Sequence, residues 1–266
     1  MYVEKSSEVR YNEIDVKNLD YREVNDKLRE TDGACTLSGC LGQRFIAAGM
    51  ADREITIEGT PGNALGAYLN GADITVRGNA QDAVGDTMNA GRIVVHGNIG
   101  DAAGYAMRGG RIFVRDDAGY RAGIHMKAYR EKVPVMVIGG RCGSFLGEYQ
   151  AGGVIVVLGL THGESALAEG ASESTLVPAA RRIVGNFPCT GMHGGKMFLR
   201  TDAADIAFPW QVTARPAEEE DLAEIRGYVE EYCQLFGCDV SEVMDSPFTV
   251  VTPDSRNPYK QLYVAN

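Results

Sequence analysis

Short segments rich in β-branched and other apolar residues recur along the chain, each closing on or near a glycine. They are CTLSG from Cys35, ITIEG from Ile55, ITVRG from Ile74, IVVHG from Ile93 and IFVRD from Ile112, then VMVIG from Val135, IVVLG from Ile155 and MFLR from Met197. Successive starts lie 20, 19, 19, 19, 23, 20 and 42 residues apart. Two-step alternation predicts a strand at each segment. A period near 20 predicts a repeat in which each unit buries its apolar face on its neighbours. The expected inward positions are Ile74 and Val76, Ile93 and Val95, Ile112 and Val114, and Ile155 and Val157, stacked as β-branched ladders. The slot after each strand holds Glu58, Arg77, His96 and Arg115, which this pattern turns toward solvent.

The glycines keep the same period. Gly62, Gly66 and Gly71 precede Ile74 by 12, 8 and 3 residues; Gly100, Gly104 and Gly109 precede Ile112, and Gly143, Gly147 and Gly152 precede Ile155, at the same intervals. Taken alone, GNIGDAAGYAMRGGRIFVRD (97–116) would suggest a phosphate cradle. A nucleotide loop occurs once and opens a helix, whereas this element recurs and leads each time into a strand. Glycine is therefore expected at the corners of a parallel β-helix, where φ turns positive or where coils approach too closely for a side chain. Eight such coils at ~4.8 Å each make a prism roughly 35 Å long.

Two places break the rhythm. The coil from Ile112 to Val135 is about four residues too long and contains GIHMKAYREKVP. A longer excursion, rich in Ala, Ser and Glu, follows Ile155 and reads as helix or loop. The register returns with Gly185, Cys189 and Gly194 at 12, 8 and 3 residues before Met197, Cys189 standing where the middle glycine would be. Helical periodicity marks both ends. Tyr21, Val24 and Leu28 share a face behind the N-cap candidate Asp20; Leu222, Ile225, Val229, Tyr232 and Phe236 recur after Pro216 until Gly237. Open β-helix ends expose backbone and apolar surface, so both helices are expected to be caps or docking elements. The predicted organisation is an N-terminal helical cap over 1–32, a glycine-repeat β-helix over 33–159, a helical or loop insertion over 160–184, a last coil over 185–212, and a C-terminal helix and tail over 213–266.

Composition narrows the function. The chain of 266 residues can bury a core without staples, and its net charge of −10 argues against a nucleic-acid surface. No apolar run reaches the ~20 residues of a membrane span. The polar start MYVEKSSEVRYNEIDVKN does not resemble a signal peptide, so a cytoplasmic location is expected. The six cysteines, Cys35, Cys40, Cys142, Cys189, Cys233 and Cys238, lack the spacing of a cluster or a disulfide framework. The histidines His96, His125, His162 and His193 lack metal-ligand spacing and are expected in surface or structural roles. A Cys189–His193 dyad is disfavoured because Cys189 fills a corner slot. A free-standing β-helix enzyme would want paired carboxylates beside the strands, where mostly glycine stands.

The repeated glycine spacing with GGRI and GGV, together with GYRAGIHMKAYREKVPVMVIGG, GEYQAGGVIVVLGL and GMHGGKMFLR, resembles the C-terminal glycine-repeat (GXGXG) domain of the glutamate synthase large subunit. It is most similar to the stand-alone subunit form of that domain, over roughly residues 10–266. The same repeats resemble the β-helix scaffold of formylmethanofuran dehydrogenase, which is the alternative. The resemblance implies a right-handed parallel β-helix that carries no catalytic, cofactor-binding or metal-binding residue of its own. It implies an oxidoreductase complex of glutamate synthase type, in which a glutamine amidotransferase subunit releases ammonia and a synthase subunit with FMN and an iron–sulfur cluster adds it to 2-oxoglutarate. The basic cluster Lys127, Arg130 and Lys132, with Tyr129, stands in the overlong coil of an otherwise acidic chain and is the expected contact with one of those partners.

Overall fold

The structure, a computed structural model, describes residues 11–162, 174–176 and 182–255. In chain order its elements are β1 (Tyr11–Asp15), α1 (Tyr21–Glu30), β2 (Ala34–Leu41), β3 (Glu54–Thr60), β4 (Asn70–Val76), β5 (Ala90–Val95), β6 (Arg111–Val114), β7 (Val135–Ile138) and β8 (Ala151–Val157). There follow β9 (Leu160–His162), β10 (Ser174–Leu176), β11 (Gly194–Leu199), β12 (Val212–Pro216), α2 (Glu219–Phe236), α3 (Val240–Met244) and β13 (Thr249–Pro253). One 11-stranded sheet runs in the order β1-β2-β3-β4-β5-β6-β7-β8-β11-β13-β12. Its neighbours are parallel as far as β11, each strand belonging to one turn of a β-solenoid of about 8 turns. The last two strands, β13 and β12, run antiparallel.

Ile55, Ile74, Ile93 and Ile112 stand opposite one another, followed by Met136, Ile155 and Met197. With Ile57, Val76, Val95, Val114, Ile138, Val157 and Leu199 they fill the solenoid interior. The segment at Val135 departs from the predicted alignment. Met136, not Val135, continues the interior ladder, so the coil from Ile112 has 24 residues and the next has 19. The run VMVI has no polar residue to mark its outer face, and alternation alone cannot set its register. Ile155 pairs directly with Met197, so the 42 residues between them make a single coil. Much of the predicted insertion lies outside the described residues; its described part includes β9 and β10, paired antiparallel.

Before each strand the chain passes through left-handed residues at alternate positions: Ala64, Gly66 and Tyr68, then Ala83, Gly85 and Thr87, then Ala102, Gly104 and Ala106, and so on. Only one member of each trio is glycine. Left-handed backbone costs a non-glycine residue roughly 1–2 kcal/mol, so something must hold the others there. Ala64 N donates to Asp82 O, Gly66 N to Ile46 O and Tyr68 N to Asp86 O, at 2.7–2.9 Å, so successive donors engage the coil ahead, the coil behind and the coil ahead again. The stack imposes the conformation.

The two ends look alike in the sequence and differ in the structure. Helix α1 closes one end: Asp20 accepts from Arg22 N and Glu23 N, and Val24 and Leu28 enter the interior cluster beside Leu37 and Ile46. Residues 1–32 are not helix alone, because β1 precedes α1 and pairs with β2 as a further rung. Helix α2 is not an end cap. It lies along the outer face of the sheet, where Ile225, Val229, Tyr232 and Phe236 pack with Val94, Phe113, Val137, Val156 and Phe198 in a second core. Burying such a side chain is worth ~1.5–3 kcal/mol, whereas exposed ion pairs contribute ~0–1 kcal/mol. Packing rather than the Arg92–Glu231 and Arg111–Glu231 bridges therefore holds α2 in place. The C-terminal segment also adds β12 and β13 to the sheet, which the predicted helix and tail did not include.

Candidate partner-docking face

Of the sequence-predicted contact residues, Tyr129, Arg130 and Lys132 lie on one protruding turn, and Lys127 stands in the coil just before it. Tyr129 N donates to Lys132 O at 3.0 Å and Lys132 N to Tyr129 O at 3.1 Å, closing a two-residue hairpin over Arg130 and Glu131. Arg130 takes the left-handed conformation, φ 55°, and its guanidinium stands 5.2 Å from the Tyr129 ring centroid. Lys127, Tyr129, Arg130 and Lys132 are all exposed, and so is Val133. The extra residues cannot enter the filled interior, so the chain leaves the coil after Lys127 and rejoins it at the buried Pro134. The stem of Lys132 folds back over Gly109, where a Cβ would come within 3.0 Å of Lys132 Cβ.

Two rows of aromatic and cationic side chains accompany the hairpin, and the sequence reading missed both. In one, Tyr105 meets His125 edge-on at 5.9 Å, and His125 stacks on Tyr149 at 5.3 Å with planes 9° apart. In the other, the Arg121 guanidinium lies 4.7 Å from the Phe145 ring, which packs against Phe187 at 5.3 Å. Arg121 Nε donates to Glu148 at 3.0 Å and ties the rows together. Phe187 is 62% exposed. Part of the signal was in the sequence: His125 and Tyr149 each stand two residues after a left-handed glycine, Gly123 and Gly147, whereas Tyr105 stands one residue after Gly104. The period places these side chains on one side of the stack. Gly191 continues the row as the room the Tyr149 ring needs, since a Cβ there would lie 2.4 Å from Tyr149 Cδ1.

The corner glycines divide by cause. Gly66, Gly104 and Gly147 are left-handed at φ 63°, 67° and 65°, and Gly71 has φ 138°. Gly62, Gly100, Gly109, Gly143 and Gly152 have no positive φ; a Cβ on them would lie 2.1–2.8 Å from atoms of a preceding coil. Cys189 does replace a left-handed glycine, φ 60°, and its thiol is buried against Met197 Sδ at 3.6 Å. Burial pushes that thiol up to about 12, and the His193 ring instead donates to Gly191 O.

The expectation that the slot after each strand is solvated holds for Glu58 and Arg77, which are exposed, and fails beyond them. Arg115 is 7% exposed, pairs with Asp116 and has its carbonyl capped by Tyr232 Oη at 2.9 Å. His96 is half-buried against Phe236 at 5.1 Å. Burial, reinforced by the positive charges of Arg77 and Arg115, pushes its pKa down to about 4. Helix α2 covers these two slots and not the earlier ones. The side chain of His162 lies outside the described residues. No helix among the described residues is long and apolar enough to cross a membrane, and no group of three or more His, Cys, Asp or Glu side chains among them could hold a metal ion.

An uncharacterized protein of Methanocaldococcus jannaschii is 42% identical over 261 residues, a span covering 94% of this chain and 95% of that protein. The pattern of the GXGXG motif family, the C-terminal domain type of glutamate synthase, matches residues 9–254. That span takes in the solenoid from β1 to β13, and the chain belongs to the GXGXG motif family.

Proposed function

We propose that this chain is a non-catalytic scaffold subunit of a glutamate synthase-like oxidoreductase complex. In this reading it holds an amidotransferase subunit and a synthase subunit with FMN and an iron–sulfur cluster, so that ammonia from glutamine reaches 2-oxoglutarate. The observation that carries the proposal is the family match over nearly the whole chain. The Methanocaldococcus jannaschii protein is matched over 95% of its own length. The physics of the fold suits the role. Coils rise by ~4.8 Å each, so two partners seated on different coils are held at a fixed separation. The hairpin at Lys127–Lys132 and the adjoining aromatic rows supply Arg and Tyr, which are favoured as interface anchors.

Reconstitution tests the scaffold reading. The amidotransferase and synthase subunits with this chain and a supplied electron donor such as dithionite should form glutamate from glutamine and 2-oxoglutarate. Omitting the chain should abolish glutamine-dependent synthesis and spare synthesis from free ammonia. Equal rates with and without it would overturn the proposal. The purified chain alone should be colourless and should not hydrolyse glutamine; stoichiometric flavin absorbance would count against it. Changing Lys127, Arg130 and Lys132 together to Glu should leave the melting temperature nearly unchanged and weaken assembly, most of all at low salt. Wild-type affinity at low salt would remove the hairpin from the interface.

A further inference from the structure

Cys233 and Cys238 flank the turn that ends α2. Cys233 sits in the last helical turn, 4% exposed; Gly237 follows in the left-handed conformation at φ 72°; and Cys238 comes next, half-exposed. Gly237 N donates to Cys233 O at 2.8 Å and Cys238 N to the same oxygen at 3.3 Å. That second bond confines the two Cα atoms to within about 7 Å of each other, the limit a disulfide can span.

We propose that Cys233 and Cys238 form a dithiol site, converted to a disulfide across the end of α2 by exchange with a low-molecular-weight disulfide such as glutathione disulfide. Cys238 loses its proton and its thiolate attacks one sulfur of the oxidant, breaking that S–S bond and forming a mixed disulfide. One glutathione thiolate leaves and takes up a proton. Cys233 then deprotonates and attacks the Cys238 sulfur, expelling the second glutathione. Two protein thiols are oxidised to one disulfide, and glutathione disulfide is reduced to two molecules of glutathione.

Exposure and proximity select this pair from the six cysteines: Cys238 alone is not buried, and Cys233 stands beside it across the end of the helix. Burial raises the thiols of Cys35, Cys40, Cys142 and Cys189, and that of Cys233 as well. The neighbouring Cys233 thiol lowers the Cys238 thiol, against the effects of burial and of neighbouring Asp239. A lowered, accessible thiol is the one that reacts first. The ring so formed fastens the last turn of α2, whose Phe236 covers His96 and whose Tyr232 caps Arg115 O. The inference does not depend on the scaffold reading.

The test uses the full chain, reduced and then held folded with excess glutathione disulfide near pH 8, where thiolate is available. The expected result is loss of two of the six free thiols, with a peptide map joining Cys233 to Cys238. C233S should keep a stable glutathione adduct at Cys238, and C238S should take up none. Should C233S fail to fold, the wild-type time course carries the test: the adduct at Cys238 should rise and then decay as the disulfide grows. A wild-type chain that retains six thiols, accumulates a lasting adduct, or joins two chains through Cys238 would overturn the proposal.

Discussion

Asp82 shows what a single residue contributes here. Its Oδ1 accepts from Asp101 N at 2.9 Å, one coil on, and Asp101 Oδ1 accepts from Tyr120 N at 2.8 Å in the next. A second column repeats this through Asn79, Asn98 and Asp117, ending on Arg141 N. Each column needs glycine beside it, because a Cβ on Gly100 would stand 2.1 Å from Asp82 Oδ1 and one on Gly97 would stand 2.4 Å from Asn79 Oδ1. Substituting alanine separates the two reasons for glycine. Gly49 has φ 70° and open space around its missing side chain, so Gly49→Ala should cost only the left-handed penalty of ~1 kcal/mol. Gly100→Ala has no such penalty but must displace the carboxylate, losing a hydrogen bond and overpacking the corner, for about 2–3 kcal/mol. Urea unfolding of the two variants measures the difference, and equal costs would mean that the column contributes nothing. The period made Gly100 visible in the sequence and passed over Gly49, and it gave the cause of neither. Nor were the left-handed alanines at 64, 83 and 102 legible, because their conformation is imposed by bonds to the neighbouring coils.

Among the elements, α2 was the clearest helix in the sequence, yet its seat was misplaced. Its pattern from Ile225 to Phe236 says that one face is buried and does not say against what. The answer stood in the strands. Their outward central residue is Thr56 and Thr75 in β3 and β4, then turns apolar as Val94, Phe113, Val137, Val156 and Phe198. Reading that column down the stack, rather than each strand along its length, would have found the helix site and the burial of Arg115 with it. The hairpin was legible for a simpler reason, since its residues are surplus to a fixed coil; the aromatic rows were legible only in part, because the period aligns His125 with Tyr149 but not Tyr105 with either. Two predictions belong to this scale. A Cβ at Gly139 would meet Tyr232 Oη at 1.8 Å, so Gly139→Ala should push Tyr232 out and expose α2 to limited proteolysis, with the parallel sheet retained by circular dichroism. His96 titrates from about 4 in the folded chain, below its usual 6.5, because the neutral ring is what the site buries. The unfolded chain binds that proton first as pH falls, so this contribution is complete above ~6.5 and lost progressively toward ~4. Melting temperatures across that window should fall less steeply in His96→Phe than in the wild type, and parallel curves would remove His96 from the acid response.

At the scale of the whole molecule, an array of coils touching only its neighbours behaves as a one-dimensional chain, in which unfolding can begin at an end and fray inward. The second core works against that. By packing one helix against β5, β6, β7, β8 and β11 at once, α2 couples rungs that otherwise communicate only through the strands between them. Loss of any one of these rungs disturbs the shared helix and weakens the rest. The solenoid should therefore divide into two regimes: a spliced block from β5 to β11 that opens only as a unit, and the rungs β2 to β4, where α2 does not reach, that loosen in graded steps. Native-state hydrogen exchange should report one common opening free energy for the block and a descending series outside it. A single smooth gradient along the stack would mean that α2 is a passenger. The block also spans the coils that bear the hairpin and most of the aromatic contacts, so force applied by a partner at that face would be shared among these rungs rather than borne by one.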